Sequence, residues 1–442
     1  MWLEQPVPHR PDLAECSTLS PRIVVLSLVI GLLFRFAVLA CVDYPLTGVA
    51  AGYDALGRNL AEHEVFAYDN DPYKPTIERA PLLPFFLAAS FRLFGHTLLP
   101  FQLIEILLNL STCFLVYLAL MKLVPNLAGL VFLILLLCPF QAAYSGAIWF
   151  ENLAGFFLVL AFVLPVLVSG TGGWFLSGIA LGALALARDV YLPLVPLVAF
   201  LLILRRVGST RMGYSTLSAV LLLAGGAAVV TPWTIRNFRV TGDFIPVSKG
   251  LVGFNLWVGT WEHYPTWMTS DEALAQQAFR NSQDRVGFEK VASLEDSLKA
   301  DSAWLELALQ RIGEEPGPVV DRWLSRWWQV WLSSRFLFSF RSAALAENSR
   351  AWTILKGILF LWNAAIVVLG VFGLSRAFFE RSNLRWFAIP IFYTTFAYLP
   401  FHNTEARYSQ PVLVFMILFA AVELQHLFGD QRNADVRYFN KL

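Results

Sequence analysis

The chain has 442 residues, of which 57% are hydrophobic and 15% are charged, and its mean hydropathy is +0.58. A water-soluble fold could not bury that much apolar surface, so the composition indicates an integral membrane protein. The net charge is +1, and the charges stand in blocks between apolar runs, which argues against nucleic acid as a partner. The four cysteines follow no disulfide or metal-site spacing, and we expect them to pack as apolar residues.

Ten apolar segments approach the length of about 20 helical residues that crosses the core of a bilayer. They predict an all-α polytopic membrane protein with about ten transmembrane helices. The segments are 23–42, 98–121, 127–144, 152–168, 174–187, 190–204, 215–232, 352–374, 386–400 and 412–428. Several of them are short for a full span.

Basic residues in short loops stay on the cytoplasmic side of a membrane, and this rule sets the predicted orientation. With a retained first helix and a cytoplasmic N-terminus, the alternation of spans produces two basic cytoplasmic loops and a cytoplasmic C-terminus. The basic residues of these loops are Arg205, Arg206, Arg211, Arg376, Arg381 and Arg385. The polar segments 43–97 and 238–350 and the short turn 401–410 are then external, and we expect the chemistry there.

The same pattern divides the chain into three parts. Residues 1–237 are predicted as an N-terminal transmembrane module with the first outer loop, 238–350 as an external and mostly helical segment, and 351–442 as the last transmembrane helices with a cytoplasmic tail. In the first outer loop, apolar residues at 53, 56, 60 and 61 predict an amphipathic helix, and a proline-rich stretch leads into a short interfacial helix.

The segment from Thr231 to Gly242, which reads TPWTIRNFRVTG, follows the seventh span, and Val247-Ser248 and the run GFNLWVG (253–259) come after it. Its Pro, Trp, Arg and Asn residues suit an interface and a phosphate, and we expect a polar loop after Pro232. The segment resembles the GT-C glycosyltransferases, polytopic enzymes that take a sugar from a polyprenyl-phosphate carrier. The alternative is the membrane exit of a transporter, with Trp233 as an interfacial belt residue and Arg236 as an anchor.

The first outer loop also resembles this family, in the branch of the bacterial protein mannosyltransferases and the aminoarabinose transferase of lipid A. A helix with Tyr53, a polar link, the motif Arg79-x-Pro81-x-x-Pro84 and an interfacial helix occur in the order that this branch shows after its first span. The alternative is an amphipathic loop helix that lies on lipid.

The family's usual catalytic base is missing from its usual place. Relatives carry an Asp about one helical turn before the tyrosine, where this chain has Val49 and Ala50. Asp54 is the preferred substitute, since residues four apart share a helix face, and Asp43 is the second choice. Glu78 is a third.

Glu151 opens the fourth span and resembles the acid that ends the family's second outer loop. The resemblance implies that Glu151 binds the acceptor or assists the base. The alternative is a carboxylate that only stabilises the helix N-terminus.

Four arginines at the outer level could hold a phosphate leaving group, which needs cationic and preferably forked donors. The resemblance implies a lipid-phosphate site at Arg79, Arg188, Arg236 and Arg407, with Tyr53, Glu78, Asn237, His402, Glu405 and Tyr408 lining the substrate. Alternatively, Arg188 pairs with Asp189 and Arg407 with Glu405 at an ordinary interface. His402 and Glu405 are too few ligands for a metal site, and we expect neither a metal nor a cofactor.

These features favour an inverting glycosyltransferase of a bacterial inner membrane, active on the periplasmic side. Its expected partners are a polyprenyl-phosphate-linked sugar, a glycolipid, glycan or protein acceptor, and membrane lipids. One alternative is a flippase for a lipid-linked sugar or polysaccharide, and another is an inactive, lipid-binding family member. A flippase should carry polar residues deep inside several spans, whereas the charges here stand at the outer ends of the spans.

The orientation can be tested by cysteine labelling. A membrane-impermeant thiol reagent should label Lys290→Cys in intact cells but not Ser209→Cys, because the positive-inside rule places residue 209 in the cytoplasm. Labelling of the residue-209 variant in intact cells would reject the ten-span orientation.

Overall fold

The structure is a computed structural model. It describes residues 19–428, except 70, 72, 205–211, 250–251, 262–296, 333–340, 343–344, 346–348 and 402–405. The predicted basic loop around residue 209 lies outside the described residues.

The first part of the chain is a series of helices joined by short turns and by one long loop. These helices are α1 (Pro21–Cys41), α2 (Val49–Glu62), α3 (Leu82–Phe94), α4 (Leu98–Leu123), α5 (Pro125–Leu136), α6 (Pro139–Tyr144), α7 (Phe150–Leu167), α8 (Thr171–Ala187), α9 (Leu194–Leu204) and α10 (Met212–Thr241). A 3₁₀ turn, Asp189–Tyr191, stands between α8 and α9.

The rest of the described chain is also helical. Its helices are α11 (Val252–Thr260), α12 (Ser297–Glu314), α13 (Pro316–Arg326), α14 (Gln329–Leu332), α15 (Arg350–Phe379), α16 (Ile389–Tyr398) and α17 (Gln410–Phe428), with 3₁₀ turns at Asn383–Ala388 and Ala406–Ser409. One two-residue antiparallel ladder joins β1 (Val42–Asp43) to β2 (Arg341–Ser342), with Asp43 opposite Arg341.

Six helices among the described residues are long and apolar enough to cross a membrane, so the protein is an integral membrane protein. They are α1, α4, α7, α10, α15 and α17 with its preceding turn. The predicted spans 127–144, 174–187, 190–204 and 386–400 correspond to the shorter helices α5, α8, α9 and α16. The count of ten therefore remains a prediction.

Two predicted boundaries were wrong, and each lies at a proline. The seventh span does not end in a loop at Pro232, because α10 continues to Thr241. Membrane helices tolerate an interior proline, and Pro232 lies inside α10. The predicted span 127–144 is instead broken before Pro139, which fits the first turn of a new helix.

Helices α8 and α10 pack closely because glycines lie at their contact. A Cβ on Gly178 of α8 would overlap the Leu222 carbonyl of α10, and a Cβ on Gly225 of α10 would overlap the Phe175 carbonyl of α8. Small residues let membrane helices approach in this way. The contact fixes the end of α8, where Arg188 follows.

Helices α11 and α12 form a small unit of their own in the long polar segment. Trp257 of α11 lies 4.4 Å from Trp304 of α12 between ring centroids, and the Asp301 carboxylate accepts a hydrogen bond from the Phe254 amide at 3.2 Å. A Cβ on Gly259 would overlap the Pro400 carbonyl, so this unit lies directly against the end of α16.

The glycine contact predicts a local stability effect. Gly178→Ala should lower the free energy of unfolding of the detergent-solubilised protein by roughly 1–3 kcal/mol, and its thermal midpoint with it. The reason is that the Leu222 carbonyl belongs to the backbone and cannot move aside as a side chain can. Gly172→Ala is the matched control in the same helix, since nothing lies within 4 Å of a Cβ there. Equal thermal midpoints for the two variants would contradict the close packing.

Candidate functional site

The guanidinium of Arg188 is held between aromatic rings just after the end of α8. Its Cζ lies 4.1 Å from the ring centroid of Phe150 and 5.3 Å from that of Tyr408. Its Nε donates to the Tyr398 hydroxyl at 3.3 Å. Cation–π contacts of this kind fix the plane of the guanidinium and offset part of its desolvation.

Arg407 is held in the same manner by neighbouring rings. Its Cζ lies 5.3 Å from the centroid of Trp149 and 4.8 Å from that of Tyr408, and it donates to the Tyr408 hydroxyl at 2.7 Å. Tyr408 in turn stacks on Tyr398, with 4.7 Å between centroids and 20° between planes. The stack therefore joins both arginines, Arg188 and Arg407, into one cluster.

Glu151 adds a carboxylate to this cluster. Its side chain is fully buried in the first turn of α7, and its Oε1 lies 3.8 Å from the Arg407 Nε. A carboxylate in this place faces an arginine and stands at a helix N-terminus, so it fits both the family role and the helix-dipole role.

Tyr53 of α2 faces the same space. The Arg79 guanidinium lies 5.7 Å from its ring centroid. Burial raises the pKa of Tyr53 to about 12, while the positive charges of Arg188 and Arg79 oppose that rise. Burial also raises the pKa of Tyr68, again against the charge of Arg79. Arg79 and Arg188 are thus both within electrostatic range of Tyr53.

Arg236 supports the loop that carries Arg79. Its guanidinium donates to the Thr76 carbonyl at 2.7 Å, three residues before Arg79. Its Cζ lies 4.7 Å from the centroid of Trp233 and 5.5 Å from that of Phe66. The structure therefore connects Arg236 with the loop of Arg79, two of the predicted phosphate-binding residues. Arg236 makes this connection through the backbone of Thr76.

Asn237 points into a backbone turn. It is fully buried, and its amide donates to the Ile245 carbonyl at 3.0 Å and to the Val247 carbonyl at 2.9 Å. Both amide hydrogens are engaged, so the side chain shapes the turn after α10.

That turn connects to the end of α8. The Ser248 hydroxyl donates to the Asp189 carboxylate at 2.6 Å, and the Val190 amide donates to the other oxygen of Asp189 at 2.9 Å. Asp189 thus bonds to Ser248 and Val190, and no ion pair between it and Arg188 is found among the described residues.

The candidate bases lie in different surroundings. The Asp54 carboxylate bonds His96 Nε2 at 3.0 Å and is turned toward the α3–α4 link. Asp43 is exposed and lines a pocket of about 90 Å³. Glu78 is half-buried, and its amide donates to the Thr76 hydroxyl at 3.3 Å.

The predicted residues His402 and Glu405 lie outside the described residues. Within the described residues, no three His, Cys, Asp or Glu side chains are close enough to hold a metal ion. The expectation that no metal is needed remains a prediction.

Sequence analysis missed a chain of hydrogen bonds inside the helix bundle. Arg35 of α1 donates to the Asn109 Oδ1 at 2.9 Å and to the Leu136 carbonyl at 2.8 Å. Asn109 donates to the Asn152 Oδ1 at 2.8 Å, and Asn152 donates to the Glu105 Oε2 at 2.6 Å. All four side chains are buried. A guanidinium is thus connected to a carboxylate through two amides.

The expectation that charges stand only at the ends of the spans was wrong for Arg35 and Glu105. Both lie inside apolar helices, and a charged residue within an apolar run was the sequence signal that could have found them. The Arg35 guanidinium bonds Asn109 and two backbone carbonyls, whereas only the Oε2 atom of Glu105 is bonded among the described residues. Bonds that run between α1, α4 and α7 suit a structural link between helices better than a path for substrate.

The same network reaches the arginine cluster. Asn109 also donates to the Gln141 Oε1 at 2.8 Å, and Gln141 donates to the Gln410 carbonyl at 3.2 Å at the start of α17. Asn152 directly follows Glu151 in α7. The network therefore positions the helix ends that carry Glu151 and Arg407.

An apolar groove of about 820 Å³ opens between α9 and α10. At its polar end, the Thr234 hydroxyl donates to the Pro246 carbonyl at 3.0 Å. The groove is lined by Leu192, Pro193, Val195, Pro196, Leu223, Gly226, Ala227, Val230, Thr231, Thr234, Ile235, Phe238, Phe244 and Pro246. Its lining residue Ile235 directly precedes Arg236.

No protein-family model matches the chain, and no curated protein does. Solved structures do resemble it. One is ArnT from Cupriavidus metallidurans bound to undecaprenyl phosphate, with 15% identity and a TM-score of 0.42 over 95% of this chain and 80% of that chain. Another is the oligosaccharyltransferase AglB from Archaeoglobus fulgidus, in complex with an inhibitory peptide and a dolichol-phosphate. It has 15% identity and a TM-score of 0.50, over 95% of this chain and 52% of that chain.

Both proteins are GT-C glycosyltransferases. This chain spans about half the length of AglB, with 52% of AglB covered. The likeness to AglB confirms the predicted GT-C resemblance at the level of the fold.

The buried network predicts a compensating pair of substitutions. Asn109→Leu should lower the thermal midpoint in detergent, because it removes an acceptor from the buried Arg35 guanidinium. A hydrogen bond to a charged group contributes roughly 1.5–3 kcal/mol to the free energy of unfolding. Adding Arg35→Met should recover at least half of the loss, since the uncompensated charge is then gone. Ser111→Leu is the control, because Ser111 is exposed on the same helix. A double variant no more stable than Asn109→Leu would contradict the network's role.

Proposed function

We propose that the protein transfers a sugar from a polyprenyl-phosphate carrier to an acceptor hydroxyl, with inversion at the anomeric carbon. Two observations together carry this proposal: arginines held among aromatic rings, and an apolar groove of about 820 Å³ whose lining residue Ile235 directly precedes Arg236. A polyprenyl phosphate has the matching shape, with a long apolar chain and an anionic head. Undecaprenyl phosphate and a dolichol-phosphate are bound in the similar structures of ArnT and AglB.

In this proposal the arginines have distinct tasks. Arg188 and Arg407, whose planes are fixed by aromatic rings, and Arg79 hold the phosphate oxygens and stabilise the charge that develops as the sugar leaves. Arg236 keeps the loop of Arg79 in place through the Thr76 carbonyl. Glu151 keeps Arg407 in position and faces the acceptor side.

The base is a carboxylate of the first outer loop, and the reaction takes place on the external, periplasmic face of the bacterial inner membrane. The acceptor is a glycolipid, glycan or protein. Tyr53 and Tyr408 line the space between donor and acceptor, because both are buried against the arginines.

Donor turnover tests this proposal without knowledge of the acceptor. Native membranes that contain the protein are given undecaprenyl-phosphate-linked hexose, pentose or aminopentose, and released undecaprenyl phosphate is measured by mass spectrometry. Release that depends on the protein supports transfer. Binding of undecaprenyl phosphate without release from any of these donors would favour the lipid-binding alternative, and donor movement across vesicles without release would favour a flippase.

Arginine substitutions are expected to act on donor binding. Arg407→Ala or Arg79→Ala should weaken binding of undecaprenyl phosphate about tenfold or more, because a charge-assisted hydrogen bond contributes about 1.5–3 kcal/mol. Tryptophan fluorescence of the purified protein can follow the titration. Arg239→Ala is the control, since Arg239 is exposed on α10, outside the cluster. Unchanged affinity in both site variants would remove them from the donor site.

A further inference from the structure

A second pocket, smaller and more polar than the groove, lies beside the arginine cluster. It has a volume of about 90 Å³, room for a few water molecules. Three segments that are far apart in sequence, 43–50, 98–102 and 146–149, form its walls. The residues used below are Asp43, Ala50, Gln102, Gly146 and Trp149. The size admits a hydroxyl group and the carbon that bears it, while the rest of a larger molecule stays outside.

The walls of this pocket are fixed by hydrogen bonds. The Gln102 amide donates to the Gly146 carbonyl at 2.8 Å, and the Tyr44 hydroxyl donates to the Ala143 carbonyl at 2.9 Å. The Tyr44 ring lies so close to Gly146 that a Cβ on this glycine would overlap it. The pocket is thus a built feature and not a gap between mobile side chains.

Asp43 presents a carboxylate to this pocket. Its backbone is held in the β1–β2 ladder opposite Arg341, and no described residue bonds its side chain. Asp54, in contrast, already bonds His96 at 3.0 Å, and it does not line the pocket. A base must be able to accept a hydrogen bond from the hydroxyl that it deprotonates. Of the two carboxylates, Asp43 is the one that can accept this bond from a hydroxyl in the pocket.

The pocket and the arginine cluster share a wall. Trp149 lines the pocket, and the Arg407 guanidinium lies 5.3 Å from its ring centroid. An oxygen in the pocket is therefore separated from the proposed phosphate site by about the thickness of one residue. A sugar at this boundary could be reached from the pocket while its phosphate remains with the arginines.

We infer that this pocket takes the reacting hydroxyl of the acceptor and that Asp43, rather than Asp54, is the base; the inference rests on the proposed function. The hydroxyl oxygen forms a bond to the anomeric carbon as the bond from that carbon to the phosphate oxygen breaks. The hydroxyl proton passes to the Asp43 carboxylate and then to water. The electron pair of the broken bond leaves with the polyprenyl phosphate, which the arginines hold.

Ala50 offers a rescue test, because it lines the same pocket from α2. A carboxylate introduced at position 50 would reach the same acceptor hydroxyl from another wall of the pocket. Four proteins are compared in native membranes: wild type, Asp43→Asn, Asp43→Asn with Ala50→Asp, and Asp54→Asn as the matched control. Each is tested for release of undecaprenyl phosphate from the undecaprenyl-phosphate-linked sugars named above and for binding of undecaprenyl phosphate.

Asp43→Asn should lower release by about 10²–10⁴-fold, the usual loss for a general base, with binding unchanged. The double variant with Ala50→Asp should release undecaprenyl phosphate at least tenfold faster than Asp43→Asn alone. A merely structural role of Asp43 would not allow this recovery. Asp54→Asn should keep release within tenfold of wild type.

Three results would overturn the inference. Wild-type release by Asp43→Asn would do so and would leave the proposed function intact. Loss of undecaprenyl phosphate binding by Asp43→Asn would give Asp43 a structural or donor-binding role instead. Lack of release by the wild-type protein from all of these donors would overturn the proposed function and this inference together.

Discussion

In a bilayer, the guanidinium of Arg35 can find hydrogen-bond acceptors only inside the protein, and it finds them on α4 and at the end of α5. From there the bonds pass through Asn109 and Asn152 to Glu105. Each amide accepts on one side and donates on the other, so the bonds run in one direction from Arg35 to Glu105. Helices that exchange such bonds cannot rotate or slide without leaving a buried polar group unsatisfied, which costs several times the bond itself.

The small pocket depends on this constraint, because the network involves α4 and α7, which carry or directly follow residues of its walls. Gln102 is one helical turn from Glu105 and forms a wall of the small pocket, while Asn152 follows Glu151. Through Gln141 the bonds reach the start of α17, next to Arg407. The glycine contact between α8 and α10 plays the corresponding part on the groove side, since it sets the position of Arg188.

The aromatic rings around the arginines explain why lysine would be a poor replacement at these positions. A guanidinium is planar and weakly hydrated, so it can lie over Phe150 or Tyr408 and still direct its N–H groups sideways toward an anion. An ammonium group would lose both the stacking and the fork. Because Arg188 and Arg407 both contact Tyr408, a substitution of this tyrosine should alter the positions of both guanidinium groups.

The sequence by itself determined the membrane character of the chain, the approximate places of most helices and the GT-C resemblance. These properties follow from hydropathy, from periodicity and from short motifs, which are local in sequence. It did not determine which face each polar residue would present or what it would bond. Asp54 and Asp43 are separated by ten residues of similar character, and only the packing of α2 against the α3–α4 link turned Asp54 toward His96. Asn237 and Arg236 looked like substrate residues, yet Arg236 bonds the Thr76 carbonyl of a distant loop and Asn237 bonds carbonyls of the turn after α10. These bonds are visible only after folding. The helix packing also decided that Arg35 and Glu105, 70 residues apart, would be connected, because a buried charge is satisfied by whichever neighbours the tertiary structure brings to it.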